Sequence, residues 1–169
     1  MQNLLSRLKG RKDDEVPTEA GTCIAEGFIA DNNQKNKEEF HIRYTFDDFI
    51  FAAKSYTKLV TGDTLFDRSN DIEPILRTTG YNTIRKDKFS LPGLDAQEWL
   101  ISGKQENDRQ VNAYKFVLYA NEKMADYHHP VLSLILHNPD NETKIYSSDQ
   151  LVEIWDRIIK TFQLRQGSF

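Results

Sequence analysis

Leu91-Pro92-Gly93-Leu94-Asp95-Ala96-Gln97-Glu98-Trp99-Leu100 is the stretch on which the fold reading turns. Pro fixes φ and Gly tolerates positive φ, so Pro92-Gly93 is a tight, pre-shaped reversal. The flanking residues read as strands, about 83–91 and 96–104, with Trp99 shortly past the turn. A strand–turn–strand unit at the middle of the chain predicts a sheet, with the segments on either side packed on it.

Working outward, the cleanest alternation lies upstream. Phe40, Ile42, Tyr44 and Phe46 share one side, and His41, Arg43 and Thr45 the other. A two-residue period predicts a half-buried strand with its aromatics inward. Asp47-Asp48 is a turn, and Phe49 to Lys58 is the hairpin partner. Downstream, Val111 to Glu122 reads as a long strand with Tyr114, Phe116 and Leu118 on one face. Val117 and Tyr119 on the other face predict partial cover there too. Val131 to His137 is the most apolar run and reads as a central strand. Asn138-Pro139-Asp140-Asn141 is a turn. Cys23 to Ala30 reads as one further strand, after a turn at 17–21.

Two principal helices are expected. The first spans about 64–78, with Asp63 as its cap, a stripe at Leu65, Ser69, Ile72 and Leu76, and Gly80 as its stop. Pro74 predicts a break or kink near Ile72–Pro74. The second spans about 148–163. Ser147 and Gln150 have capping-box spacing, and Leu151, Ile154, Trp155, Ile158, Ile159 and Phe162 recur at helical intervals. Burying those six side chains is worth on the order of 10 kcal/mol gross, before the entropy of ordering is subtracted. Residues 2–10 can form a short helix, and Arg11 to Glu15 read as a charged, solvated connector. The fold class is therefore α+β: a mainly antiparallel sheet of about six to seven strands with two principal helices packed on it.

The 169 residues suit one domain, expected over 16–169, with 1–15 as a helical and charged linker. Net charge is −4, which argues against nucleic acid as a partner, since phosphate binding favours a basic surface. No apolar run approaches the roughly 20 residues of a membrane-spanning helix. The single cysteine, Cys23, excludes an intramolecular disulfide, and its apolar neighbours Ile24 and Ala25 give it the reading of a small core residue.

Candidate chemistry is thin. His128-His129 is the first possible metal site, but adjacent loop histidines need further ligands. His41 and His137 fall in strands. The acidic pairs Asp47-Asp48, Asp13-Asp14-Glu15 and Glu38-Glu39 lie in polar surroundings and read as solvated charge. No Gly-x-Ser-x-Gly elbow, phosphate loop or His-Glu-x-x-His occurs. Trp99 and Trp155 sit in apolar registers and read as core. No enzyme, cofactor or metal is predicted.

Three segments resemble a known family. Asp13-Asp14-Glu15-Val16-Pro17-Thr18-Glu19, with Gly21-Thr22-Cys23-Ile24 and Gly27-Phe28-Ile29, is the first. Leu91-Pro92-Gly93 with Glu98-Trp99-Leu100 is the second. Ile154-Trp155-Asp156-Arg157, ending in Leu164-Arg165-Gln166-Gly167, is the third. In order and spacing they resemble the C-terminal domain of the Tle-cognate immunity proteins of type VI secretion systems, which neutralise phospholipase effectors of the fourth Tle class. The resemblance implies a periplasmic, non-catalytic protein whose partner is a secreted phospholipase, blocked by steric occlusion of its active site or lid. It also implies an N-terminal domain that is absent from this chain. Two loops carry large or charged groups with no core role: Glu106, Asp108 and Arg109, and Tyr127, His128 and His129. Tyrosine and arginine are enriched at binding hot spots, so these six are the expected contacts. The alternatives are a small hydrolase or ligand-binding enzyme with a sheet-lined pocket, and a non-catalytic assembly domain.

Overall fold

A computed structural model describes residues 2–12, 14–31, 39–57, 62–91, 94–105, 111–123, 125–126, 129–139 and 146–162. These fall in two units, one within the first 36 residues and one from residue 37 to 163.

The first unit opens with helix Gln2–Arg7 (α1), and the chain then extends as strand Leu8–Gly10 (β1) instead of continuing the expected helix. The expected strand from Cys23 to Ala30 is two strands, Gly21–Ile24 (β2) and Gly27–Ala30 (β3), reversed at Ala25-Glu26. Glu26 takes φ 54° to make that reversal. β3 is central, with β1 and β2 antiparallel on its two sides. Gly21 holds φ 147°, and a Cβ there would sit 2.3 Å from the Ile29 carbonyl oxygen, so no other residue fits. Cys23 is half-buried, not enclosed in a core, because its strand is half-exposed throughout.

Arg11, read as part of a solvated connector, is the clasp of this unit. Its guanidinium donates to the carbonyls of Gly27 (3.2 Å), Lys12 (2.8 Å), Glu15 (2.6 Å) and Ile24 (3.2 Å). Its backbone N–H donates to Glu26 (3.0 Å). One rigid fork of donors thereby ties the 11–15 segment to the β2–β3 turn.

The second unit is a six-stranded antiparallel sheet. In chain order its strands are Glu39–Thr45 (β4), Ile50–Tyr56 (β5), Asn82–Leu91 (β6), Leu94–Lys104 (β7), Asn112–Ala120 (β8) and Val131–His137 (β9). Their spatial order is β4-β5-β9-β8-β7-β6. β6 and β7 pair from Leu91–Leu94 out to Asn82–Ser102, which is the expected central hairpin. Pro92 and Gly93 themselves lie outside the described residues. β9 is central and almost wholly buried, as its apolar run predicts.

Helix Ser148–Thr161 (α3) covers one face. Ser147 and Gln150 form the expected reciprocal capping box. Leu151, Trp155 and Ile159 are buried, and Leu100, Phe116, Leu118 and Leu134 are among the least exposed residues of the sheet. Phe116 and Trp155 meet edge-to-face at 6.0 Å. Both tryptophans are core, as read: Trp155 is 0% and Trp99 2% exposed.

Helix Ser69–Thr79 (α2) begins later than expected. Asp63 does not cap it. Instead Thr64 and Asp67 close a turn of their own, the Asp67 carboxylate accepting from the Thr64 N–H (3.0 Å) and hydroxyl (2.9 Å). The helix runs through Pro74 rather than breaking there. Proline's φ is helical, and the bond it forgoes would go to the carbonyl of Asn70, an exposed residue that water can serve. Gly80 ends the helix at φ 75°, with Gly80 N–H to Arg77 and Tyr81 N–H to Leu76, the paired closure that left-handed glycine permits.

Candidate interaction surface

The end of the sheet where β7 begins and β8 finishes carries a cleft. It measures about 520 Å³ and is lined by Thr64, Lys88, Ser90, Gln97, Tyr119 and Glu122, among others. The 64–68 turn is clamped onto this end by sheet side chains. Leu65 N–H donates to Glu122 Oε2 (2.6 Å), and Phe66 N–H to Gln97 Oε1 (2.9 Å). Arg68 Nη2 reaches Glu122 Oε1 (2.7 Å), and its guanidinium lies 5.5 Å from the Tyr119 ring centre. Both Glu122 oxygens are thus engaged. Burial pushes its carboxyl above the ordinary carboxylate range, against the lowering pull of Leu65 N–H and Arg68.

Lys86 extends this cluster towards α2. Its ammonium stands 4.0 Å from the Trp99 ring centre and 5.1 Å from that of Phe66. It donates to Ser69 Oγ (2.7 Å) and Glu73 Oε1 (3.1 Å). On the opposite face, Glu98 is 3% exposed and joins three elements. One oxygen accepts from Arg85 Nε (2.5 Å), the other from Trp155 Nε1 (2.8 Å). Arg85 also grips the Asp156 carboxylate, which with Glu98 drives the Arg85 pKa up.

The far edge of the sheet is different in kind. The alternation across β4 is real, but Tyr44 (49% exposed) and Phe46 (51%) face solvent instead of the core. The cause is position, because β4 is an outermost strand and the contacts of α3 run to β6, β7 and β8 on the other side of the sheet. Phe46 packs on Phe49 at 5.0 Å across the hairpin turn. Asp48 in that turn accepts from the Tyr146 hydroxyl (2.7 Å).

Of the six expected contact residues, Glu106, Asp108, Arg109, Tyr127 and His128 lie outside the described residues. His129 is exposed, and its N–H (2.7 Å) and ring Nδ1 (3.0 Å) both meet Asp126 Oδ1 in a tight turn. The two loops belong to opposite ends of β8, because one precedes Asn112 and the other follows Ala120. The cleft and the Tyr44–Phe46–Phe49 edge were not singled out from sequence; the only sequence signal for either is the aromatic period of 40–46. Among the described residues no three His, Cys, Asp or Glu side chains converge as metal ligands, and no helix is long and apolar enough to cross a membrane.

The fold and these surfaces define an α+β domain whose exposed features are aromatic, charged and unlike one another. The chain belongs to the family described as Tle cognate immunity protein 4 C-terminal domain, whose pattern matches residues 15–167. No curated protein matches the chain. Among solved structures, it is similar to the apo immunity protein TplEi of the type VI secretion system of Pseudomonas aeruginosa, at 25% identity and TM-score 0.79, covering 97% of this chain and 56% of that one. The same immunity protein complexed with an "L" peptide matches at 25% identity and TM-score 0.75, over 95% and 59% of the two chains. A chain of the Tle4–Tli4 complex matches at 25% identity and TM-score 0.74, over 95% and 56%. This chain therefore spans a little over half the length of the proteins it resembles.

Proposed function

We propose that this domain is an inhibitor of a type VI secretion phospholipase of the Tle4 kind, acting by steric occlusion of the enzyme's active site or lid. The observation that carries the reading is the match to the immunity family across residues 15–167, with a similar chain present in a Tle4–Tli4 complex. The reading makes the domain a non-enzyme. The polar groups of the cleft beside the 64–68 turn support this, since Glu122 and Gln97 hold backbone N–H groups of that turn and are engaged as structural acceptors. The compartment that goes with this reading is the periplasm, and a further N-terminal domain would share the grip on the enzyme. His129 and its neighbours Tyr127 and His128, and separately Glu106, Asp108 and Arg109, are the proposed contacts.

The test is a titration of the cognate phospholipase with this chain, following binding and lipase activity together. Tight binding with loss of activity is the expected result. A well-folded chain that neither binds nor inhibits Tle4-type lipases would overturn the reading. Arg109→Ala should weaken the complex and leave the melting temperature unchanged.

A further inference from the structure

The two edges of the six-stranded sheet are managed differently. Exposed strand edges offer unpaired N–H and C=O groups, and proteins blunt them with bulges, charges or cover. β6 follows that rule. It is bulged between Thr83 and Arg85, and Arg85 and Lys86 are tied down to α3 and α2. β4 does not. Its seven residues pair with β5 without a bulge, contain neither Pro nor Gly, and have no described strand on their outer side.

The hairpin closure fixes which groups face outward. Phe46 N–H donates to the Phe49 carbonyl at 2.9 Å. Hydrogen-bonded pairs alternate along an antiparallel ladder, so Tyr44, Ile42 and Phe40 bond to β5. Glu39, His41, Arg43 and Thr45 therefore turn their backbone groups outward. Their side chains share one face and read acid, imidazole, base, hydroxyl. That order is self-complementary. In an antiparallel pairing of two β4 strands centred on His41, the two His41 side chains meet at the centre, Glu39 of each copy stands opposite Arg43 of the other, and Phe40 stands opposite Ile42 on the second face. Centring on Ile42 instead would set Arg43 against His41, and centring on Arg43 would set two arginines together.

We propose that β4 is a homodimerisation edge, joining two copies of this chain through the His41-centred register into one continuous sheet. The proposal does not depend on the inhibitor reading. The half-exposed Phe40 and Ile42 gain apolar neighbours across the joint.

Sedimentation equilibrium of the full chain, from low micromolar to submillimolar concentration, tests it. A concentration-dependent dimer is expected. Arg43→Glu sets two acids opposite each other twice per dimer and should weaken association by about tenfold. The double variant Glu39→Arg/Arg43→Glu should restore it. Hydrogen exchange at residues 39–45 should slow as the wild-type dimer forms. A chain that stays monomeric throughout overturns the proposal. So does a dimer indifferent to Arg43→Glu, or one that the double swap fails to rescue when circular dichroism shows the variant folded.

Discussion

α3 and α2 flank the same sheet on opposite faces, and they are held there by different physics. Glu98 and Trp99 are neighbours on β7 and so point to opposite sides. Glu98 meets α3 through Trp155, while Trp99 meets the Lys86 that anchors α2. α3 buries Leu151, Trp155 and Ile159, whereas no residue of α2 is fully buried. One helix is a wall of the core. The other is fastened at its entry by a lysine between rings and by the clamped 64–68 turn. The difference predicts that injuries to α3 are global and injuries to α2 local.

The largest effect should come from Trp155→Ala. Its side chain is fully buried, and truncating such a residue costs about 3–5 kcal/mol. The loss also leaves a Glu98 oxygen without its donor. Urea unfolding should show a single cooperative transition moved to much lower denaturant. A shift of less than about 1 kcal/mol would mean that α3 is not a wall of the core. Next comes Glu98→Leu, which removes the acceptor shared by Arg85 and Trp155. Arg85 keeps Asp156 and is one-third exposed, so about 2 kcal/mol is expected, less than for a fully enclosed pair.

For α2 the expected loss is smaller. Lys86→Ala removes a cation over Trp99 and its bonds to Ser69 and Glu73, worth about 1 kcal/mol together. The sharper readout is hydrogen exchange. Amides of 69–79 should exchange faster while those of 148–161 do not. Equal acceleration in both helices would erase the contrast drawn above.

The contrast was half legible in the sequence. α3 shows its cap, its stripe and its length plainly, because local capping and packing agree. In α2 the same signals conflict. Asp63 beside Thr64 looks like a cap, yet Asp67 wins Thr64 for a separate turn, and Pro74 looks like a break where only an exposed carbonyl loses its bond. The β2–β3 reversal was missed because Ala25-Glu26 carries neither Gly nor Pro. Arg11 was missed because four of its acceptors are backbone carbonyls, and carbonyls leave no mark on residue identity. The interaction surface is the least legible part. Contact with a partner is a property of two molecules, and the residue types of one chain do not carry it.

The smallest predicted effect tests the clamp itself, through its pH dependence. Burial raises the Glu122 carboxyl above its unfolded value, so between the two values the folded state holds a proton that the unfolded state lacks. Ionised Glu122 therefore costs stability at neutral pH, and that cost fades as pH falls through its folded value. Glu122→Gln keeps an acceptor for Leu65 N–H but cannot ionise. Its stability relative to wild type should be most favourable near neutrality and should decline on mild acidification, as the wild-type carboxyl takes up its proton. Had Arg68 outweighed burial, the wild type would lose stability on acidification and the difference would move the other way. Asp67 supplies the internal contrast. Its carboxylate, held by Thr64 N–H and hydroxyl, lies below the ordinary range, so its contribution to the same turn is lost only at lower pH. Melting curves of Glu122→Gln and wild type across the acidic range should thus diverge in sign from those of Asp67→Asn. If the two pairs of curves run parallel, burial does not dominate at Glu122 and the turn is held by its charge pair with Arg68.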